Sequence, residues 1–154
     1  MRILILISCV LAALTCNLVS AEDHVSKSEA DINFIVDDAL KESGFPFSTA
    51  VEADGWVFLS GTLGTNAEMK LVEGGIEAES RQTMTNIRSV LESQGLSMKR
   101  LVKCTVMLAD MAEWPAFNAV YKEFFDGTYP ARSAFAASGL ALGARVEVEC
   151  IARR

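Results

Sequence analysis

The chain has 154 residues, of which 51% are hydrophobic and 22% charged, and a formal net charge of −6; this bounds it at one domain with a modest core. An acidic chain without a Lys/Arg cluster suits a phosphate backbone poorly, so nucleic acid is not an expected partner. His24 is the only histidine, which argues against Ser-His-Asp, Cys-His and histidine-ligated metal chemistry. No metal or cofactor is expected, and any catalysis must run on carboxylates, arginine, backbone groups and water.

Arg2 is followed by the apolar run "ILILISCVLAAL" and then by "TCNLVSA", with small residues at Val19, Ser20 and Ala21. That order reads as a secretion signal over 1–21, cleaved before Glu22, and places the chain outside the cytoplasm with no membrane attachment after cleavage. A retained anchor is disfavoured, because the run is slightly short and is broken by Ser8, Thr15 and Asn17. A lipoprotein signal at Cys16 would follow a poorly matching Leu14-Thr15. Losing Arg2 makes the remainder one charge more negative. The chain then divides into a linker and N-terminal helix over 22–45 and a single domain over 46–154.

Apolar residues at Ile32, Ile35, Val36, Ala39 and Leu40 predict a helix from Glu29 to Ser43, with Ser28 and Asp31 as capping pair and Gly44 as stop. "FPFSTAVEADGWVFLSG" predicts two strands joined at Asp54-Gly55, a hairpin signal. "GTLGTN" reads as a loop, and "MKLVEGG" as a possible short strand. A helix follows over Ile76–Gln94, closed by Gly95, with Ala78, Met84, Ile87 and Leu91 toward the core. "RLVKCTVMLAD" is a strand whose apolar face is Val102, Cys104, Val106 and Leu108. Asp110, Glu113 and Pro115 open a helix that runs to Asp126-Gly127. Two closing strands span roughly 131–136 and 145–152. The order α-ββ(β)-α-β-α-ββ predicts an α+β fold with helices on one sheet face.

The other face would carry Lys103, Thr105, Met107, Glu147 and Glu149, a mixed surface that suggests a homo-oligomer with polar pockets at its interface. After cleavage only Cys104 and Cys150 remain, in strand-like runs beside valines. They read as buried structural thiols, with a disulfide open if their strands are neighbours in an oxidising compartment.

The closing stretch "YPARSAFAASGLALGARVEVECIA" sets Arg132 and Glu147 among small apolar residues. An arginine fork binds a carboxylate through two charge-assisted hydrogen bonds, and a nearby glutamate can hold or activate water. Together they could hydrolyse a small acid bearing a C=N bond. By residue type alone, a surface or ion-paired arginine and the wet face of a strand are the commoner explanations.

This stretch resembles the closing signature of the Rid family, the YjgF-like reactive imine/enamine deaminases. "WVFLSGTLG", "GGIEAESRQTMTNI" and "VKCTVMLADMAEWPAFNAVYKEFF" are similar to further family segments in the family's order, so the resemblance covers about residues 46–153. It implies a chorismate-mutase-like homotrimer with three sites at subunit clefts, acting on short-lived enamines and imines such as 2-aminoacrylate to give the keto acid and ammonium. On this resemblance Arg132 anchors the substrate carboxylate and Glu147 holds the water. Ser60, Gly61 and Asn118 line the site, joined by Phe47 and Ala134. The chain departs from the family at Phe47, where tyrosine is common, at Ala134, where many members carry cysteine, and at Thr62, where glutamine or asparagine is usual. Phe47 and Ala134 make the pocket more apolar and point to a bulkier imino acid or a slower enzyme. A non-catalytic trimeric binder or chaperone-like homologue is the alternative. An endoribonuclease, as suggested for some relatives, fits poorly with the acidic charge and the lack of a catalytic histidine.

Overall fold

The computed structural model describes residues 31–154; the expected signal over 1–21 and the Ser28 cap lie outside them. Seven strands form one mixed sheet: β1 (Asn33–Ile35), β2 (Ala50–Ala53), β3 (Trp56–Leu59), β4 (Thr62–Leu63), β5 (Leu101–Leu108), β6 (Ala131–Ala136) and β7 (Val146–Arg153). Their order is β1-β2-β3-β7-β5-β6, with β4 pairing on β7 beyond β3. Three helices accompany them, α1 (Asp38–Ser43), α2 (Gly75–Ser93) and α3 (Trp114–Lys122). The α+β expectation holds.

The helix expected over 29–43 is corrected. Asn33–Ile35 is a strand antiparallel to β2, and only Asp38–Ser43 is helical. Asp37 supplies the cap, its side chain accepting from the Leu40 N–H at 2.8 Å, and the helix starts two residues before Leu40, the one residue it buries. The hairpin is as expected: Asp54 and Gly55 both take positive φ, as a two-residue turn between twisted strands requires. The "GTLGTN" loop contains β4, whereas "MKLVEGG" contributes only the isolated bridge Thr65–Leu71.

Helices α2 and α3 pack on each other and cover one face of the sheet. The core between them holds Met84, Ile87 and Leu91 from α2, Phe117 and Tyr121 from α3, and Cys104, Val106, Leu108, Val146 and Val148 from the sheet. Val102 does not join this face. The β5–β7 register slips between Leu101 and Lys103, and this irregularity buries Leu101 while turning Val102 out to solvent. Lys103, Thr105, Met107, Glu147 and Glu149 occupy the opposite face, together with an apolar row that crosses β1, β2, β3 and β7 at Phe34, Val51, Phe58 and Ile151.

Cys104 and Cys150 are directly opposed on β5 and β7 and form a disulfide, with Cα atoms 4.1 Å apart. The reading as free structural thiols is thereby corrected. Cross-strand neighbours on one face are close enough to bridge, and residue spacing alone could not reveal that β5 and β7 are neighbours.

Candidate active site

Strand β6 is one edge of the sheet. It runs parallel to β5 after the α3 crossover, with Cys104 opposite Arg132 and Met107 opposite Phe135. Because side chains alternate along a strand, pairing with buried Cys104 turns Arg132 toward the helices. There its Nη2 donates to the Asn118 Oδ1 at 2.7 Å, and its guanidinium carbon lies 4.7 Å from the Tyr121 ring centre and 5.7 Å from that of Phe117. Phe117, Asn118 and Tyr121 are positions i, i+1 and i+4 around one side of α3, so one helix supplies the whole cradle. Burial, opposed by the nearby Arg132 charge, pushes the Tyr121 hydroxyl up to about 12, so the ring stays neutral.

Arg132 is half-buried and has no carboxylate partner among the described residues. By contrast, Arg81, Arg145 and Arg154 pair with Glu123, Glu113 and Glu52. A half-buried guanidinium held only by an amide oxygen and two aromatic faces keeps its charge and most of its N–H groups available for an anion. Ala134, two residues on and on the same face, packs against the core.

The second group of expected residues gathers elsewhere. Ser60 follows β3, where its Oγ donates to the Ser48 carbonyl at 2.6 Å and its N–H to the Thr49 carbonyl at 3.1 Å. Gly61 comes next, and a Cβ there would overlap the Glu147 carboxylate. Glycine at 61 therefore lets the Glu147 carboxylate lie against the backbone in this orientation. Phe47 precedes Ser48 in the segment that flanks Ser60, and is exposed. Thr62 is half-buried, with its hydroxyl donating to the Ser60 carbonyl.

Glu147 lies opposite Met107 on the helix-free face. It is half-buried and forms no ion pair among the described residues. Burial first, and then the neighbouring Glu149 charge, raise its carboxyl above the ordinary 4.5. A carboxylate so placed is a better base than a free glutamate.

One chain therefore does not bring Arg132 and Glu147 together. They project from opposite faces, giving one group (Arg132, Asn118, Ala134) under α3 and a second (Ser60, Gly61, Glu147) on the open side, with exposed Phe47 in the segment that Ser60 bonds. Sequence reasoning missed the Phe117–Tyr121 cradle. Its one signal was the aromatic spacing in "FNAVYKEFF", which reads equally well as core packing. A cleft of about 710 Å³ between the ends of α2 and α3, lined by Arg88, Met98, Phe124, Asp126 and Tyr129 among others, contains none of these residues.

The sequence from 37 to 154 matches the family model described as endoribonuclease L-PSP. The chain belongs to that family, the YjgF or Rid family. A 2-iminobutanoate/2-iminopropanoate deaminase of Capra hircus is 43% identical over 108 residues, covering 70% of this chain and 79% of the relative. The Homo sapiens protein of the same name is 35% identical, with the same coverage. Among solved structures, RidA from the Antarctic bacterium Psychrobacter superposes with a TM-score of 0.69 at 34% identity, covering 72% of this chain and 90% of that one.

Proposed function

We propose that this protein hydrolyses reactive enamine and imine acids to keto acids and ammonium, at sites assembled between copies of the chain in a chorismate-mutase-like homotrimer. The observation that carries the reading is the half-buried Arg132, held by neutral groups and without a counter-ion among the described residues. Such a group recognises a carboxylate, and the deaminase names of the relatives are consistent with a small imino acid as its bearer.

The opposite orientation of Arg132 and Glu147 supports a site shared between two chains. Edge strand β6 leaves Arg132 at the rim of one protomer, while the row of exposed Phe34, half-buried Val51 and exposed Phe58 makes the open face beside Glu147 suited to association. In the assembled site, Arg132 of one protomer grips the substrate carboxylate through its free N–H groups. Glu147 of the neighbour takes a proton from water as the oxygen bonds to the C=N carbon. The C=N π electrons pass to nitrogen, to which Glu147 returns that proton, giving a carbinolamine. Its hydroxyl proton then passes to nitrogen as the C–N bond breaks, releasing ammonia and forming the keto C=O. Ser60 keeps its hydroxyl proton on the Ser48 carbonyl and offers lone pairs to the ammonium side of the reaction. No metal or cofactor is needed in this scheme.

The apolar N-terminal stretch and the Cys104–Cys150 disulfide support an extracytoplasmic location, where imines would come from amino-acid-oxidising enzymes. An amino-acid oxidase generating imine in the presence of the purified protein tests the activity. Faster keto-acid formation, lost in Arg132→Ala, is expected. Identical rates for the two proteins would eliminate the hydrolytic reading and favour a carboxylate binder, a role compatible with the missing hydroxyl at Phe47.

A further inference from the structure

We infer that Phe45 and Phe47 form a side-chain subsite that selects substrates carrying an aromatic ring; this rests on the proposed site around Arg132 and Glu147. The two rings stack with centroids 5.7 Å apart and planes 13° from parallel. Each is 51% exposed. A folded chain gains little from stacking two phenyl rings in open solvent, so an exposed stacked pair marks a surface that something covers.

Position says what covers it. Phe47 leads directly into Ser48 and Thr49, whose carbonyls hold Ser60, and Ser60 leads into Gly61, against which the Glu147 carboxylate lies. The aromatic pair is thus continuous with the carboxylate half of the site, with Pro46 between the rings limiting how far the segment can bend away. An acid anchored at one end by a guanidinium and flanked at the other by phenyl faces matches a 2-imino acid with an aryl side chain. Offset stacking of a third ring on the exposed face would bury apolar area from both partners. Ala134 beside Arg132 adds no bulk or polarity against such a substrate. The rival occupant is a second copy of the chain lying over the two rings.

Calorimetric titration of the full mature chain with 3-phenylpyruvate and with pyruvate tests the inference independently of turnover. The aryl keto acid should bind at least about tenfold more tightly, the discrimination a buried apolar group commonly provides. Phe45→Ala should reduce that ratio severalfold, and Phe45→Trp should keep it. Equal affinity for the two acids in the wild type overturns the subsite. So does a Phe45→Ala protein with altered assembly by light scattering and an unchanged ratio. Preferential aryl binding without turnover of any imine would sink the hydrolytic reading while sustaining this one.

Discussion

The Arg132 guanidinium rests 4.7 Å from the centre of the Tyr121 ring, and the same helix brings the Asn118 amide oxygen to 2.7 Å from its Nη2. This fixes the orientation of the cation while leaving its charge uncompensated among the described residues. The Tyr121 hydroxyl takes no part, since it is buried with no hydrogen-bond partner among those residues. Tyr121→Phe should therefore keep activity and leave stability unchanged or slightly raised, because it removes an unsatisfied polar atom. Tyr121→Leu removes the π face and should raise KM between about twofold and thirtyfold, the range of a cation–π contact. Steady-state kinetics beside thermal unfolding of both variants separates the ring from the hydroxyl.

Glu147 provides a pH signature. Its carboxyl is raised by burial and by Glu149, so the acid limb of kcat/KM should lie above the ordinary glutamate value of 4.5. Replacing Glu149 by Gln removes the like charge and should move that limb to lower pH. Glu147→Gln should abolish the limb and lower kcat by about 10²-fold or more, as loss of a general base does. The stability sign is opposite to that of a salt-bridged carboxylate. The folded state holds the Glu147 proton more tightly than the unfolded chain, so stability falls as pH rises from 4.5 through the raised folded pKa, and Glu147→Gln should relieve that loss at neutral pH. Unfolding curves at acid and neutral pH check it.

Two glycines should fail differently. A Cβ at Gly61 meets only the Glu147 side chain, which can swing aside, so Gly61→Ala should cut kcat with little change in Tm. A Cβ at buried Gly64 would come within 2.6 Å of the Glu79 carbonyl on α2, where backbone must move. Gly64→Ala should destabilise by about 1–3 kcal/mol, the range for forced backbone shifts in a packed core. Activity and melting temperature measured on the same samples distinguish the two.

The disulfide closes a sequence separation of 46 residues. On the chain-entropy account, opening it should cost about 4 kcal/mol of stability. Chemical denaturation of the wild type with and without reductant, and of Cys104→Ala/Cys150→Ala, measures the difference. Equal midpoints would mean that the surrounding sheet holds β5 against β7 unaided.

The hairpin at Asp54-Gly55, the long helix ended by Gly95 and the alternation of β7 were readable because each is set by nearby residues. What escaped depends on pairing. The bulge after Leu101 reversed Val102, and β1 arose from a segment whose apolar spacing also fits a helix. Arg132 faces α3 only because β6 pairs parallel with β5 in one register, with Cys104 opposite. Motif resemblance named Arg132, Glu147 and Asn118, but not that the first two project from opposite faces. Tyr121 was hidden because a residue cradling a cation and a residue filling a core obey the same helical spacing.

The claim that the site needs two chains is tested most directly by mixing two inactive variants. Arg132→Ala and Glu147→Gln are unfolded together in equal amounts, refolded and assayed for imine hydrolysis. If the anchor and the carboxylate come from different protomers, random reassortment should restore about a quarter of wild-type activity, since one pairing in four joins an intact Arg132 to an intact Glu147 across a cyclic interface. If both residues served from one chain, no mixed assembly would contain a complete site, and a mixture as inactive as its components would contradict the account.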